Sequence, residues 1–144
     1  MKINKKEYVF ITDGYRGGNT TFFNDHMDYL IRKKQKVILI DKNPKKTFEK
    51  LSKKITVHQL NLKHNKSNAI NNIRRIIKPN KNKIIFLMIT NFAFIIKFYF
   101  FFKKLNKDNN KIILTIHSGI FNMNLKNYIA GLVFSLIYKQ VDYL

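Results

Sequence analysis

Tyr8-Val9-Phe10-Ile11-Thr12-Asp13-Gly14-Tyr15-Arg16-Gly17-Gly18-Asn19-Thr20-Thr21 is an apolar run of strand length that enters a glycine-bearing turn and then opens an amphipathic segment. Strand, glycine turn and helix start in that order are how α/β folds bring backbone N–H groups up to a phosphate or a sugar. The spacing of Gly14, Gly17 and Gly18 is not G-x-G-x-x-G, and no G-x-x-x-x-G-K-[ST] follows, so neither the dinucleotide fingerprint nor a P-loop is present. The stretch predicts a ligand loop in an α/β fold and leaves the ligand open.

The same alternation continues outward. A strand is expected over Glu7–Thr12 and a helix over Thr20–Lys34, with Phe22, Phe23, Met27, Leu30 and Ile31 on its apolar side. Lys36–Asp41 (KVILID) is continuously apolar, as a strand covered on both faces should be. Pro44 can open a short helix reaching Lys53, Ile55–Leu60 is a weaker strand, and Lys66–Lys78 is a helix with Ile70, Ile73, Ile76 and Ile77 as its stripe, ended by Pro79. Strand Ile84–Ile89, helix Phe92–Leu105, strand Lys111–Ile116 and helix Leu125–Lys139 complete the pattern, and Val141–Leu144 starts like one more strand. Strands alternating with helices imply right-handed crossovers: a doubly wound α/β domain, mostly parallel and Rossmann-like, with helices on both faces and the whole of 1–144 in one unit. Ligands of such folds sit outside the carboxyl ends of the strands. The candidate chemistry therefore lies at Asp13–Gly18, Asp41-Lys42-Asn43, Thr90-Asn91 and His117-Ser118-Gly119.

Composition narrows the classes. The 144 residues include no cysteine, which removes disulfides, thiolate metal sites and cysteine nucleophiles. The formal charge is +20. The excess is mostly Lys, scattered along the chain and accompanied by Asn, Ile, Phe and Tyr, residues that share A/T-rich codons; a charge of that origin still acts. Basic segments are drawn to anionic membranes by about 1 kcal/mol per Lys or Arg, so a peripheral membrane role fits better than base-specific nucleic-acid recognition. The run Ile84–Phe102 approaches the roughly 20 residues of a membrane span. Asn91 and Lys97 lie inside it, however, and a central charge costs about 2.5–3.5 kcal/mol on insertion; strand plus helix is the expected reading. No secretory leader is evident in the first residues, which points to the cytoplasm.

Among single residues His117 is the sharpest, because it follows Ile112–Ile116 where a parallel strand exits. A neutral imidazole there can bind a sugar hydroxyl or act as acid or base near neutral pH. His26, His58 and His64 read as structural or solvent-facing, and none of the four has a zinc-site spacing. Gly17 and Gly18 allow a ligand close to the backbone, Asn19 or Thr20 can cap the helix, and Arg16 is either a phosphate contact or a solvated charge. Asp13 is equally a ligand contact or a turn residue. Asp41 stands where dinucleotide-binding folds keep their ribose-binding acid, but without their glycine pattern.

Taken together, Gly17–Leu30 followed by Lys36–Asp41, the strand Ile113–Ile116 ending in His117-Ser118-Gly119, and the terminal Lys139–Leu144 resemble, in order, the N-terminal domain of family-four-like glycosyltransferases of the GT-B fold. The resemblance implies a mainly acceptor-binding domain, with the nucleotide-sugar donor held chiefly by a C-terminal domain and transfer in the cleft between. By position, Gly17 and Gly18 would approach the donor diphosphate or sugar, with Arg16 and Asn19 beside them. His117 would contact the donor sugar, and Asp13, Asn91 and Ser118 would line the substrate side. Thr90-Asn91 falls where many relatives carry a histidine, which this chain lacks. The implied partners are a nucleotide-sugar donor, a glycan or lipid-linked acceptor, a chain supplying the C-terminal domain, and an anionic membrane surface on the cytoplasmic side; no metal or other cofactor is expected. Since such enzymes need both halves, this chain is expected to be inactive alone. The alternative is a basic, non-catalytic module for anionic membrane or nucleic acid.

Overall fold

A computed structural model describes residues 6–12, 18–43, 51, 53–60, 66–77, 82–88 and 110–114. Strand β1 (Glu7–Thr12) leads to helix α1 (Gly18–Arg32), β2 (Lys36–Asp41), β3 (Thr56–Gln59), helix α2 (Lys66–Ile77), β4 (Lys83–Met88) and β5 (Lys111–Leu114). The five strands form one sheet in the order β3-β2-β1-β4-β5, and every neighbouring pair is parallel. This is the doubly wound, Rossmann-like architecture that the alternation predicts.

β1, β2 and β4 are buried along nearly their whole length, which is why their sequences are continuous apolar runs rather than alternating ones. Alternate side chains serve opposite faces. On one face Phe10, Val37, Leu39, Phe86 and Met88 meet Phe23, Met27 and Leu30 of α1, with Leu51 in the same cluster. Phe10 and Phe86 are register partners on β1 and β4. Their rings stack at 4.6 Å, and Phe23 meets Phe10 edge-on at 5.1 Å. This aromatic trio ties α1 to the two central strands; such pairs add about 0.5–1.5 kcal/mol each beyond area burial. α2 belongs to the other face, since Lys83, two residues before Ile85 and out of phase with Phe86, reaches its Ile76 carbonyl. Ile70, Ile73 and Ile77 are its buried positions.

α1 begins two residues earlier than its apolar period predicts, so Asn19 and Thr20 lie in its first turn and not at its cap. Phe22 leaves the expected stripe and is 43% exposed. The seam that faces the sheet runs Phe23, Met27, Leu30, and Phe22 lies a full 100° around the helix from Phe23. At its other end α1 closes with Lys34 in the left-handed region (φ 56°). The Lys34 N–H donates to the Ile31 carbonyl at 2.9 Å and the Gln35 N–H to that of Leu30 at 3.0 Å. That is the paired-bond helix ending which glycine usually serves.

β4 starts at Lys83, one residue before the expected strand, and Ile84–Met88 lie in the middle of the sheet. The first part of the long apolar run is therefore a sheet strand. Among the described residues no helix is long and apolar enough to cross a membrane. The expected helices 92–105 and 125–139, the strand start 141–144 and most of the short helix after Pro44 lie outside the described residues.

The amino ends of β1, β2 and β4 are joined by charge. The register sets Glu7 between Lys36 and Lys83. Glu7 Oε1 is 2.9 Å from Lys36 Nζ, and its Oε2 is 2.8 Å from the Nζ of Lys83, whose side chain is 1% exposed. Lys83 Nζ also donates to Ile76 O at 3.4 Å, and the Lys83 N–H donates to Asn110 Oδ1 at 3.0 Å, just before β5. A buried ammonium is tolerable only with such partners.

Candidate functional site

The chain winds outward from β1 through β2 to β3, then returns to the other side of β1 for β4 and β5. The strand order thus reverses between β1 and β4: β1 is followed by a strand on one side of it and β4 by a strand on the other. The crevice outside the carboxyl ends at such a reversal is where open α/β sheets take ligands. Register places Gln59, Asp41, Thr12 and Met88 level along this edge. Thr12, Asp41 and Met88 are buried there and, as register partners, share the α1 face.

α1 is 15 residues long, about 22 Å at 1.5 Å per residue, close to the roughly 20 Å of a six-residue strand. Its last turn leads directly into the start of β2, so its first turn, Gly18 and Asn19, stands at the carboxyl edge. The aromatic trio beneath it holds that placement. An N-terminal turn carries unbonded N–H groups and the positive end of the helix dipole.

Asp41 shapes the next exit. Its Oδ1 accepts the Asn43 N–H at 2.6 Å, an Asx turn that bends the chain as it leaves β2. The Leu60 N–H donates to the Asp41 carbonyl at 2.7 Å, and Gln59 Nε2 donates to Lys42 O at 3.4 Å. The edge therefore holds a buried hydroxyl and a buried carboxylate on the same face as the start of α1; of these the helix start is the group suited to an anion.

Of the residues singled out in the sequence, Gly18 and Asn19 are placed, in the first turn of α1. Asp13, Arg16, Gly17, Asn91, His117 and Ser118 lie outside the described residues, as do His64 and the loop glycine Gly14. The strand ends that lead to them, Thr12, Met88 and Leu114, lie on neighbouring parallel strands at one edge. His26 is a packing residue: its ring lies 4.6 Å from Phe22 and 5.5 Å from Phe86. His58 sits half-buried in β3. No group of three potential metal ligands occurs among the described residues. Thr12 closes an apolar strand as one buried hydroxyl, and the register sets it between Asp41 and Met88.

Comparison with known protein families, curated proteins and solved structures finds no match to this chain.

Proposed function

We propose that residues 1–144 form the acceptor-side domain of a two-domain, GT-B-type glycosyltransferase, with a second Rossmann-like domain supplying the donor site across the cleft. The observation that carries the reading is the reversal of strand order between β1 and β4, with the start of α1 at the same edge. Gly17, Gly18 and Asn19 offer backbone N–H groups to the donor diphosphate, and Arg16 adds a cation. His117 follows β5 by three residues and holds the sugar or moves a proton at its imidazole. Asp13, Asn91 and Ser118 serve the acceptor, a glycan or lipid-linked glycan at the cytoplasmic face of the membrane.

The test is to co-express the chain with a candidate donor-binding domain, beginning with the adjacent reading frame, and to follow sugar transfer from a panel of nucleotide sugars. Gly18→Val and His117→Ala should each lower turnover by about 100-fold, the scale of losing an oriented electrostatic partner, while the thermal midpoint of the His117 variant stays unchanged. Transfer that persists undiminished in both variants, or no transfer with any donor domain, overturns the reading.

A further inference from the structure

The edge opposite the crevice has a chemistry of its own. Because the five strands are parallel and α1 and α2 run back against them, the starts of these strands and the ends of α1 and α2 gather, among the described residues, at the amino edge. They are rich in exposed cations. α1 ends in Arg32, Lys33 and Lys34, and Lys53 and Lys54 turn into β3. α2 ends in Arg74 and Arg75 on the other face, and Lys6 and Lys111 mark the starts of β1 and β5. Two described acids lie among them: Glu7 is enclosed between Lys36 and Lys83, and Asp28 lies 3.3 Å from Arg32. Five strands at about 4.8 Å spacing make a row some 19 Å long. Helix ends broaden it on both faces, so the charges lie within one or two Debye lengths of each other.

We infer that this amino edge is a docking surface for an anionic lipid bilayer. Of the nine exposed cations just named, six are lysines and three are arginines. A diffuse lipid potential asks only for many ammonium groups brought near it, whereas nucleic-acid contacts favour the planar arginine fork. Tyr29, 53% exposed, sits one turn before the end of α1 with the Lys33 ammonium 5.7 Å from its ring centre. An amphipathic ring beside a lysine suits the headgroup layer. In this pose the strands stand up from the membrane, and the crevice opens about 20 Å above it, one strand length away.

Vesicle flotation of the full chain tests the inference, using phosphatidylcholine with and without about 30 mol % phosphatidylserine at about 0.05 and 0.5 M NaCl. The chain should float with the anionic vesicles at low salt, release at high salt, and ignore pure phosphatidylcholine. The variant Lys33→Gln, Lys34→Gln, Lys53→Gln, Lys54→Gln should lower the partition coefficient at least about tenfold, with its circular dichroism and thermal midpoint retained. A charge-matched control, Lys42→Gln, Lys45→Gln, Lys46→Gln, Lys63→Gln, alters segments that follow the carboxyl ends of β2 and β3 and should lose far less. Equal loss in both variants would make the attraction a property of net charge and overturn the assignment of the edge. Edge-dependent retention on duplex RNA or DNA, with no flotation, would overturn it in favour of a nucleic-acid surface.

Discussion

The two ends of this sheet are built on opposite logic. At the amino edge the central strands begin with paired charges: Glu7 lies between Lys36 and Lys83, and Asn110 receives the Lys83 N–H. At the carboxyl edge the same strands end in Thr12, Asp41 and Met88, buried beside the point where the chain's winding reverses. One edge locks three strands and a helix end together, and the cost of disturbing it should appear as lost stability. At the other, the strand order reverses between β1 and β4, the place where open α/β sheets take ligands, and changes there should appear first in binding.

That contrast can be broken most sharply at Glu7. Glu7→Ala strands the buried Lys83 ammonium without a carboxylate, and removing one partner of a buried pair costs about 3–5 kcal/mol. Urea titration should show a matching fall in unfolding free energy; a loss below about 1 kcal/mol would mean the amino edge is not the lock described. Asp41→Ala comes next. It removes the acceptor of the Asn43 N–H and should cost about 1–3 kcal/mol, with ligand affinity at the crevice falling further than stability does. Parallel melting and binding titrations on the same variant separate the two.

Lys34→Gly moves stability the other way. Lys34 occupies a left-handed backbone position at the end of α1, where a Cβ is disfavoured, and glycine should raise the unfolding free energy by about 0.5–1 kcal/mol. Smallest of all is Arg32→Ala. Its partner Asp28 is one helical turn away and both side chains are well exposed, so the melting curve should shift by no more than a few tenths of a kcal/mol. A larger drop would show that the exposed rim contributes to the fold as well as to docking.

Much of the scaffold is legible along the chain. β1 and β2 begin and end where their apolar runs do, because a strand buried on both faces has no polar position to blur its limits. α2 follows its isoleucine period to within one residue. Two local signals misled. Phe22 looked like core because it adjoins Phe23, but a helix presents one seam to a flat sheet, and its neighbour turns outward. Lys83 lies just before the expected strand Ile84–Ile89, yet it is buried as the first residue of β4, since its charge is met by Glu7, far away in sequence. In the sequence the candidate site is a place, the loop after β1, more than a set of groups, and that loop lies outside the described residues. Asp41 and Thr12 become neighbours only through the pairing of β1 with β2.

The sequence by itself determined the alternating elements, the parallel class of the sheet and the glycine-bearing approach to α1, because periodicity, apolar runs and turn chemistry act over a few residues. Only the tertiary structure decided the strand order, and with it the reversal between β1 and β4. It also decided the enclosure of Glu7 between two lysines. Those are non-local outcomes. They arise from pairing strands far apart in the chain, and that pairing brings Glu7, Lys36 and Lys83 into one ion cluster at one end and aligns Asp41, Thr12 and Met88 at the other.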